Sequence, residues 1–166
     1  MDICKLFDQA ASSLSRSVCR YWPSNGDCEI AEANQVMHLA SVLQGHQWHC
    51  WAEVHWNKDS AADRNPRLDL MAWDETSKSL LLVEAKRLYS RWMLRSLVAD
   101  VRRLNRFSTI AWSDEVDRLT PVRRFAAVTA TTWDDKIVEW WNWSGGDNNP
   151  WKEGSDEWVK GGEAIK

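Results

Sequence analysis

The chain has 166 residues, of which 44% are hydrophobic and 27% are charged, with only 7 Gly and 4 Pro. This length and composition fit one compact domain over residues 1–166 and exclude a disordered chain, a collagen-like repeat and a mucin-like stalk. No apolar run approaches the roughly 20 residues that cross a bilayer, and the first residues carry acid where a secretory signal would be basic. We therefore expect a cytoplasmic protein that does not enter a membrane.

Charge is distributed unevenly along the chain, although the formal net charge is only −3. Residues 1–85 contain 7 Lys and Arg against 12 Asp and Glu, residues 86–124 contain 10 against 4, and residues 125–166 contain 4 against 8. The middle segment is a basic island between two acidic segments. Such an island is typical either of a solvated, Arg-rich helix face or of a surface that binds phosphates.

The hydrophobic pattern predicts a mixed α/β chain. Apolar residues at helical spacing predict a helix over 1–22 and a second over 27–44, with Asp27 as its N-cap. Strand patterns follow at 48–56, 67–73 and 80–86, and the short polar joint between the last two predicts an antiparallel hairpin. A basic helix over 88–107, a strand over 125–131, a helix over 134–143 and a loop-like tail complete the prediction.

Tryptophan dominates the aromatic residues, with 13 Trp against 2 Tyr and 3 Phe. Most of the indoles should be core or half-buried anchors, because each buries a large apolar area and keeps one N–H group to satisfy. A few are available for stacking on bases or for an interface with a protein partner.

Two acidic residues of the predicted hairpin, Asp69 and Glu84, lie the same number of residues from the middle of its connecting loop. Asp69 and Glu84 therefore face each other across the strand pair, with Cα atoms about 5 Å apart, and Lys86 points to the same face. Facing like charges are destabilising without a counterion, which a divalent metal would supply. Mg²⁺, or Mn²⁺ in its place, suits one or two carboxylates completed by water and phosphate oxygens.

The alternative interpretation is a solvated salt bridge among Asp69, Glu84 and Lys86. The apolar run Leu80–Val83, directly before Glu84, favours instead a strand that is buried on both faces. On the helix over 27–44, Glu29 and Glu32 both fall on the apolar stripe. Glu29, in the first turn, is accounted for by the helix dipole, whereas Glu32, one turn deeper, is not.

Pro66–Leu70 and Leu82–Lys86 resemble the motif of the PD-(D/E)xK nuclease superfamily. The restriction-endonuclease-like core of that family runs helix, three-stranded meander, helix, strand, an order that matches residues 27–131. The helix over 1–22 and the extension over 132–166 would be additions to this core. The fold expected from the resemblance is therefore an α/β core around a mixed sheet.

The resemblance also assigns roles. Asp69 and Glu84 look like the metal-binding carboxylates, the Ala85 carbonyl like an additional ligand, and Lys86 like the catalytic lysine. Glu32 matches the acidic residue that many members place on the first helix. The chain departs from the family pattern in having Arg67 two residues before Asp69, and Asp100 either replaces a residue of some subfamilies or pairs with Arg103.

Our first functional hypothesis is a metal-dependent nuclease acting on phosphodiesters, in DNA rather than RNA. Arginines of the basic helix would then contact backbone phosphates: Arg91, Arg95, Arg102, Arg103 and Arg106. The rival hypothesis is a catalytically silent protein on the same fold that binds a protein partner, as an inhibitor, immunity or assembly module, through exposed indoles. The opposed carboxylates favour the nuclease, and the overall acidity and the Trp-rich tail favour the binding module.

Overall fold

The computed structural model describes residues 2–21, 30–55, 67–90, 93–107 and 123–142. Within these ranges the chain is mixed α/β, with a four-stranded sheet and four helices. In chain order the elements are α1 (Ile3–Tyr21), α2 (Glu32–Gly45), β1 (His49–His55), β2 (Arg67–Asp74), β3 (Ser79–Arg87), α3 (Met93–Phe107), β4 (Arg123–Thr131) and α4 (Asp135–Asn142). Asp27, Glu29, Pro66, Arg91 and the predicted loop-like tail lie outside the described residues.

The sheet has the strand order β1-β2-β3-β4. Strands β1, β2 and β3 form an antiparallel meander, and β4 pairs with β3 in parallel. The hydrogen bond from the Leu88 N–H to the Thr131 carbonyl, 2.8 Å long, continues this parallel pairing past the end of β3. The carboxyl ends of β3 and β4 therefore meet at one edge of the sheet.

The turn between β2 and β3 determines which residues face each other. Asp74 pairs with Ser79, and the Asp74 carboxylate accepts hydrogen bonds from the Thr76 N–H at 3.1 Å and the Ser77 hydroxyl at 2.5 Å. Because these bonds close a four-residue turn, the register runs from Asp74↔Ser79 to Leu70↔Val83, as the sequence predicts. The regular pairing ends there, one step before Asp69 and Glu84.

Helices cover both faces of the sheet. One face carries α1 and α2, whose buried side chains pack with those of the strands: Leu6, Ala10, Leu39, Leu43, Leu70, Ala72, Leu81 and Val83. On the other face, Leu104 of α3 packs on a second set: Leu68, Met71, Trp73, Leu80 and Leu82. Helix α4 joins α3 on that side through Ile137 and Trp140, which pack on Leu88 and Leu97. Alternate side chains of β3 therefore meet different helices.

Helix α2 begins later than its sequence predicts. Ala31 is the N-cap residue, with an extended backbone at φ −64° and ψ 144°, and Glu32 is the first helical residue. Ile30 is only 2% exposed, and its carbonyl accepts a 3.1 Å hydrogen bond from the Tyr89 hydroxyl. These tertiary contacts hold the segment before Glu32 in a non-helical conformation. The prediction that Glu32 lies one turn inside the helix is therefore wrong.

Helix α3 also begins later than predicted, at Met93 rather than at residue 88. Leu88 is fully buried and donates its N–H to Thr131. That bond continues the strand pairing, so Leu88 belongs to the strand end and not to the helix.

In the described ranges, no helix is both long and apolar enough to span a membrane.

Candidate active site

Asp69 lies where the regular pairing of β2 stops. The last pair on the β3 side is Leu70↔Val83, and in place of the next step the Asp69 carboxylate accepts the Ala85 N–H at 2.6 Å. The half-buried Asp69 is thereby held against the backbone of the segment that carries Glu84 and Lys86. The structure therefore brings together the aspartate, the glutamate and the lysine predicted from the sequence.

The β1 side of Asp69 is irregular as well. The β1–β2 register continues from Ala52↔Leu70 to Val54↔Leu68 but omits the step that would join Glu53 to Asp69. Glu53 has a positive φ of 53°. A non-glycine residue in this left-handed region is costly, and such residues concentrate at functional sites. The sequence analysis did not identify Glu53, because its alternation with Ala52 and Val54 is typical of an ordinary strand.

This irregularity changes the direction of the neighbouring side chains. Cys50 packs on the core beneath α2, whereas Val54 packs on the cluster beneath α3. Likewise, Leu70 belongs to the first cluster and Leu68 to the second. In a regular strand, residues separated by an even number share one face. On both strands, these side chains before and after the Asp69 step therefore point to different faces of the sheet. Those on one side of this step pack under α2, and those on the other side pack under α3.

Glu84 is a nearly solvent-free carboxylate with a counterion supplied by the protein. Its side chain is 2% exposed, and its Oε1 atom lies 2.7 Å from one Nη atom of Arg103 and 3.1 Å from Nε. Burial raises the pKa of Glu84 to about 7, against the lowering effect of Arg103, and the charges of Asp69 and Asp100 raise it further. The counterion expected from the sequence was a metal. In the structure, Arg103 is the counterion of Glu84.

Asp100 extends this pair into a chain of four charges. One of its oxygens lies 2.6 Å from the Arg103 guanidinium and the other 2.9 Å from Lys86 Nζ, while its side chain is 5% exposed. Burial lowers the pKa of Lys86, but the bond to Asp100 and the charges of Asp100, Glu32 and Asp69 outweigh it, so this pKa lies above its ordinary value. Lys86 is therefore held as an ammonium group.

Helix α2 is attached to the end of β3 by two polar contacts. Glu32 Oε1 accepts the Arg87 N–H at 3.0 Å and lies 3.9 Å from the Arg87 guanidinium nitrogen. Gln35, which is buried, donates from its amide nitrogen to the Lys86 carbonyl at 2.8 Å. Glu32 therefore lies beside the strand end that carries Lys86, and its side chain remains 35% exposed. Gln35 is a positioning residue that the sequence analysis did not identify.

The chemistry of these donors fits a hard divalent cation. Asp69 and Glu84 offer carboxylate oxygens, and one oxygen of each is already engaged, by the Ala85 N–H and by Arg103. Mg²⁺ typically takes one or two carboxylates together with water and phosphate oxygens. Among the described residues, no group of three or more His, Cys, Asp and Glu side chains forms a metal cage.

The arginines of the basic helix do not all point outward. Arg102 is exposed, whereas Arg103 turns toward Glu84 and Asp100. Arg95 and Arg106 belong to α3, but their side chains lie outside the described part, as does the whole of Arg91. Of the five predicted phosphate contacts, Arg102 is therefore the described side chain that faces solvent.

The burial of Asp100 was readable from the sequence. Asp100 is three residues after Leu97 and four before Leu104, which are 0% and 2% exposed, so it lies on the apolar stripe of α3. An acidic residue on an apolar stripe is as unexpected at Asp100 as it is at Glu32.

Comparison of the sequence with protein-family models and curated proteins, and of the fold with solved structures, found no match.

Proposed function

We propose that the protein is a metal-dependent nuclease with its active site around Asp69, Glu84 and Lys86. The observation that carries this proposal is the burial of Glu84 near Asp69, whose carboxylate accepts the Ala85 N–H where the strand pairing stops. A purely structural role does not require a second carboxylate beside a buried glutamate, since like charges in such a position repel. A divalent cation held by both is the arrangement that uses them.

The order of the elements supports the proposal. Helix α2, the meander β1–β3, helix α3 and strand β4 follow the order of the restriction-endonuclease-like core that the sequence motif resembles. Helix α3 carries the exposed Arg102 next to Arg103, which pairs with Glu84. DNA is the proposed substrate, and Arg102 is the described arginine of α3 that would contact its phosphates.

Asp69, Glu84 and the Ala85 carbonyl would hold Mg²⁺ or Mn²⁺, and Glu32 would act through a water molecule. When bound, the metal would activate water and stabilise charge on the phosphate. Lys86 is kept protonated by Asp100, so it serves as a donor that orients the attacking water or stabilises the developing charge, and not as the general base. Arg103 is paired with both Glu84 and Asp100 and would position these two carboxylates.

Cleavage of supercoiled plasmid in Mg²⁺ or Mn²⁺, against EDTA, tests this function. Lys86→Ala and Asp69→Asn should abolish nicking, whereas Lys5→Ala and Glu75→Gln, exposed residues outside the site, should leave it unchanged. Loss of cleavage in all four variants, or nicking that persists in EDTA, would contradict the assignment. Thermal melting of each variant separates loss of chemistry from loss of fold.

A second candidate function is a protein-binding module on this fold. The observation in its favour is that Arg103 and Lys86 neutralise Glu84 and Asp100 within the protein, so that this network is satisfied without a metal. Trp51 and Trp141, each 43% exposed, would then belong to the interface. Absence of both plasmid cleavage and Mn²⁺ binding by the unmodified protein would favour this candidate.

A further inference from the structure

An aromatic stack lies at the edge of the sheet where β3 and β4 end. The rings of Tyr89 and Trp133 are 4.9 Å apart between centroids, with an interplanar angle of 13°. The Arg87 guanidinium lies over the Tyr89 ring, 6.0 Å from its centroid. Tyr89 follows β3 by two residues, and Trp133 follows β4 by the same number. The parallel pairing of the two strands therefore brings these rings together.

The inner part of this stack is firmly held. The Tyr89 hydroxyl donates to the Ile30 carbonyl at 3.1 Å, and the Leu88 N–H donates to Thr131, which joins the two chain segments just before the rings. The Thr132 hydroxyl accepts the Asp134 N–H at 3.1 Å and so fixes the backbone around Trp133. The indole is thus presented by an ordered support.

Trp133 is nevertheless 52% exposed, whereas Trp48, Trp73 and Trp140 are 4–5% exposed. An indole used only as a core anchor would be covered, as those three are. Beside Trp133 lies an open cavity of about 410 Å³, bordered by α1 and by Thr129, Thr131 and Thr132. A flat ring could therefore approach the exposed indole from this cavity.

The stack is also close to the proposed active site. Tyr89 is three residues after Lys86, which limits their Cα separation to about 10 Å. Arg87 connects the two places, since its backbone N–H binds Glu32 while its guanidinium lies over Tyr89. Because Glu84 and Lys86 pair with residues of α3 while the cavity beside Trp133 is bordered by α1, a nucleic acid would reach both places by passing round the carboxyl end of β3.

We propose that Trp133, supported by Tyr89, is a stacking platform for an unpaired nucleobase, and that the substrate is single-stranded DNA or DNA with an unpaired stretch next to the cleaved bond. This inference rests on the proposed nuclease function and narrows its substrate class. Bases inside a duplex are covered on both faces by their neighbours, whereas an unpaired base has a π-face available for the indole.

Binding of fluorescein-labelled oligodeoxythymidine and of a matched duplex, measured by anisotropy in EDTA, tests the platform. Trp133→Ala should weaken binding of the single strand about 5- to 100-fold, Trp133→Phe should retain most of it, and duplex binding should change little. Trp51→Ala, which removes an exposed indole from β1, is the matched control and should bind as the unmodified protein does. Thermal melting establishes that each variant is folded.

A scan with one abasic nucleotide locates the contact. The unmodified protein should lose affinity when the abasic position meets Trp133, and Trp133→Ala should lose nothing further at that position. The proposal is overturned if Trp133→Ala binds the single strand as tightly as the unmodified protein, or if it weakens duplex binding equally. If the unmodified protein binds no nucleic acid in any form, the nuclease function fails together with the platform.

Discussion

Glu84 is a carboxylate whose ionisation works against the folded state. Its pKa rises from an ordinary value of 4.5 to about 7, mainly through burial. Between these two values the folded protein keeps a proton that the unfolded chain has already released. The unfolding free energy attributable to Glu84 therefore falls as pH rises from about 4.5 to about 7, and the loss persists above pH 7.

The first prediction concerns this pH dependence. In EDTA, the unfolding free energy of the unmodified protein minus that of Glu84→Gln should fall by about 3 kcal/mol between pH 4 and pH 8, because the variant lacks the titrating group. Urea denaturation across this range measures the difference, with Glu75→Gln, in the exposed turn, as the control. A constant difference for Glu84→Gln would show that Glu84 is not held in a desolvated site.

The second prediction concerns Arg103, which pairs with Glu84 at the proposed metal site. Arg103→Gln should bind Mn²⁺ at least tenfold more tightly, equivalent to about 1.4 kcal/mol, because the competing cation is gone. The same variant should lose about 3–5 kcal/mol of stability in EDTA, since the buried Glu84 loses its ion-pair partner and Asp100 keeps only Lys86. Calorimetric titration and thermal melting give the two values.

Arg102→Gln is the matched control for Arg103, because Arg102 precedes it on α3 and faces solvent. It should change neither Mn²⁺ affinity nor stability appreciably. Equal Mn²⁺ affinity for Arg103→Gln and the unmodified protein would show that the metal does not compete for Glu84, and a different ligand set would then be required.

Among the structural elements, strand β1 contains an unusual position at Glu53, where φ is 53°. Alanine is normally better than glycine in a strand interior by about 0.5–1 kcal/mol, and this order reverses where the backbone is left-handed. The third prediction is that Glu53→Gly is more stable than Glu53→Ala by about 1 kcal/mol. Both variants lack the exposed Arg67–Glu53 ion pair, so the comparison isolates the backbone.

At Ala52, in the same strand, glycine should be less stabilising than alanine, the reverse of the order expected at Glu53, because Ala52 is regularly paired with Leu70. Ala52→Gly should destabilise the protein by about 0.5–1 kcal/mol. Chemical denaturation of the three variants decides the point. If Glu53→Gly is the less stable of the two Glu53 variants, then the break in pairing beside Asp69 is not a feature of the protein in solution.

The hairpin was predictable from sequence, whereas the beginnings of the helices were not. The polar turn between two apolar runs determined the register of β2 and β3, which runs from Asp74↔Ser79 to Leu70↔Val83, because hairpin register follows from the turn. The beginning of α2 depends on Ile30 and Tyr89, which are far apart in sequence but meet in the fold. Local patterns such as an Asp27 cap carry no information about that contact.

The candidate site shows the same division. Asp69, Glu84 and Lys86 share one hairpin, so spacing alone related them. Arg103 belongs to a helix full of arginines, and nothing in its neighbourhood distinguishes the residue that turns inward from Arg102, which turns outward. Pairing of Asp100 with Arg103 was one of the two alternatives raised from the sequence, and the structure shows that pair.

At the scale of the whole molecule, residues 86–124 have an excess of Lys and Arg, although the formal net charge of the chain is −3. The fourth prediction is that binding to single-stranded DNA weakens steeply with salt, and that Arg102→Ala lowers the slope of log K against log salt by about one unit. Arg16→Ala, an exposed arginine of α1 on the other face of the sheet, is the control and should leave the slope unchanged. Salt-independent binding would contradict a phosphate-binding surface on α3.

The four-membered chain Glu84, Arg103, Asp100 and Lys86 contains two negative and two positive groups. When all four groups are ionised, their formal charges cancel without a bound ion. Metal proteins whose ligands have no such internal partners collapse when chelators remove the ion, because ion binding and folding are then one process. Under the proposed function, the protein is therefore expected to stay folded when magnesium is withheld and to lose only cleavage.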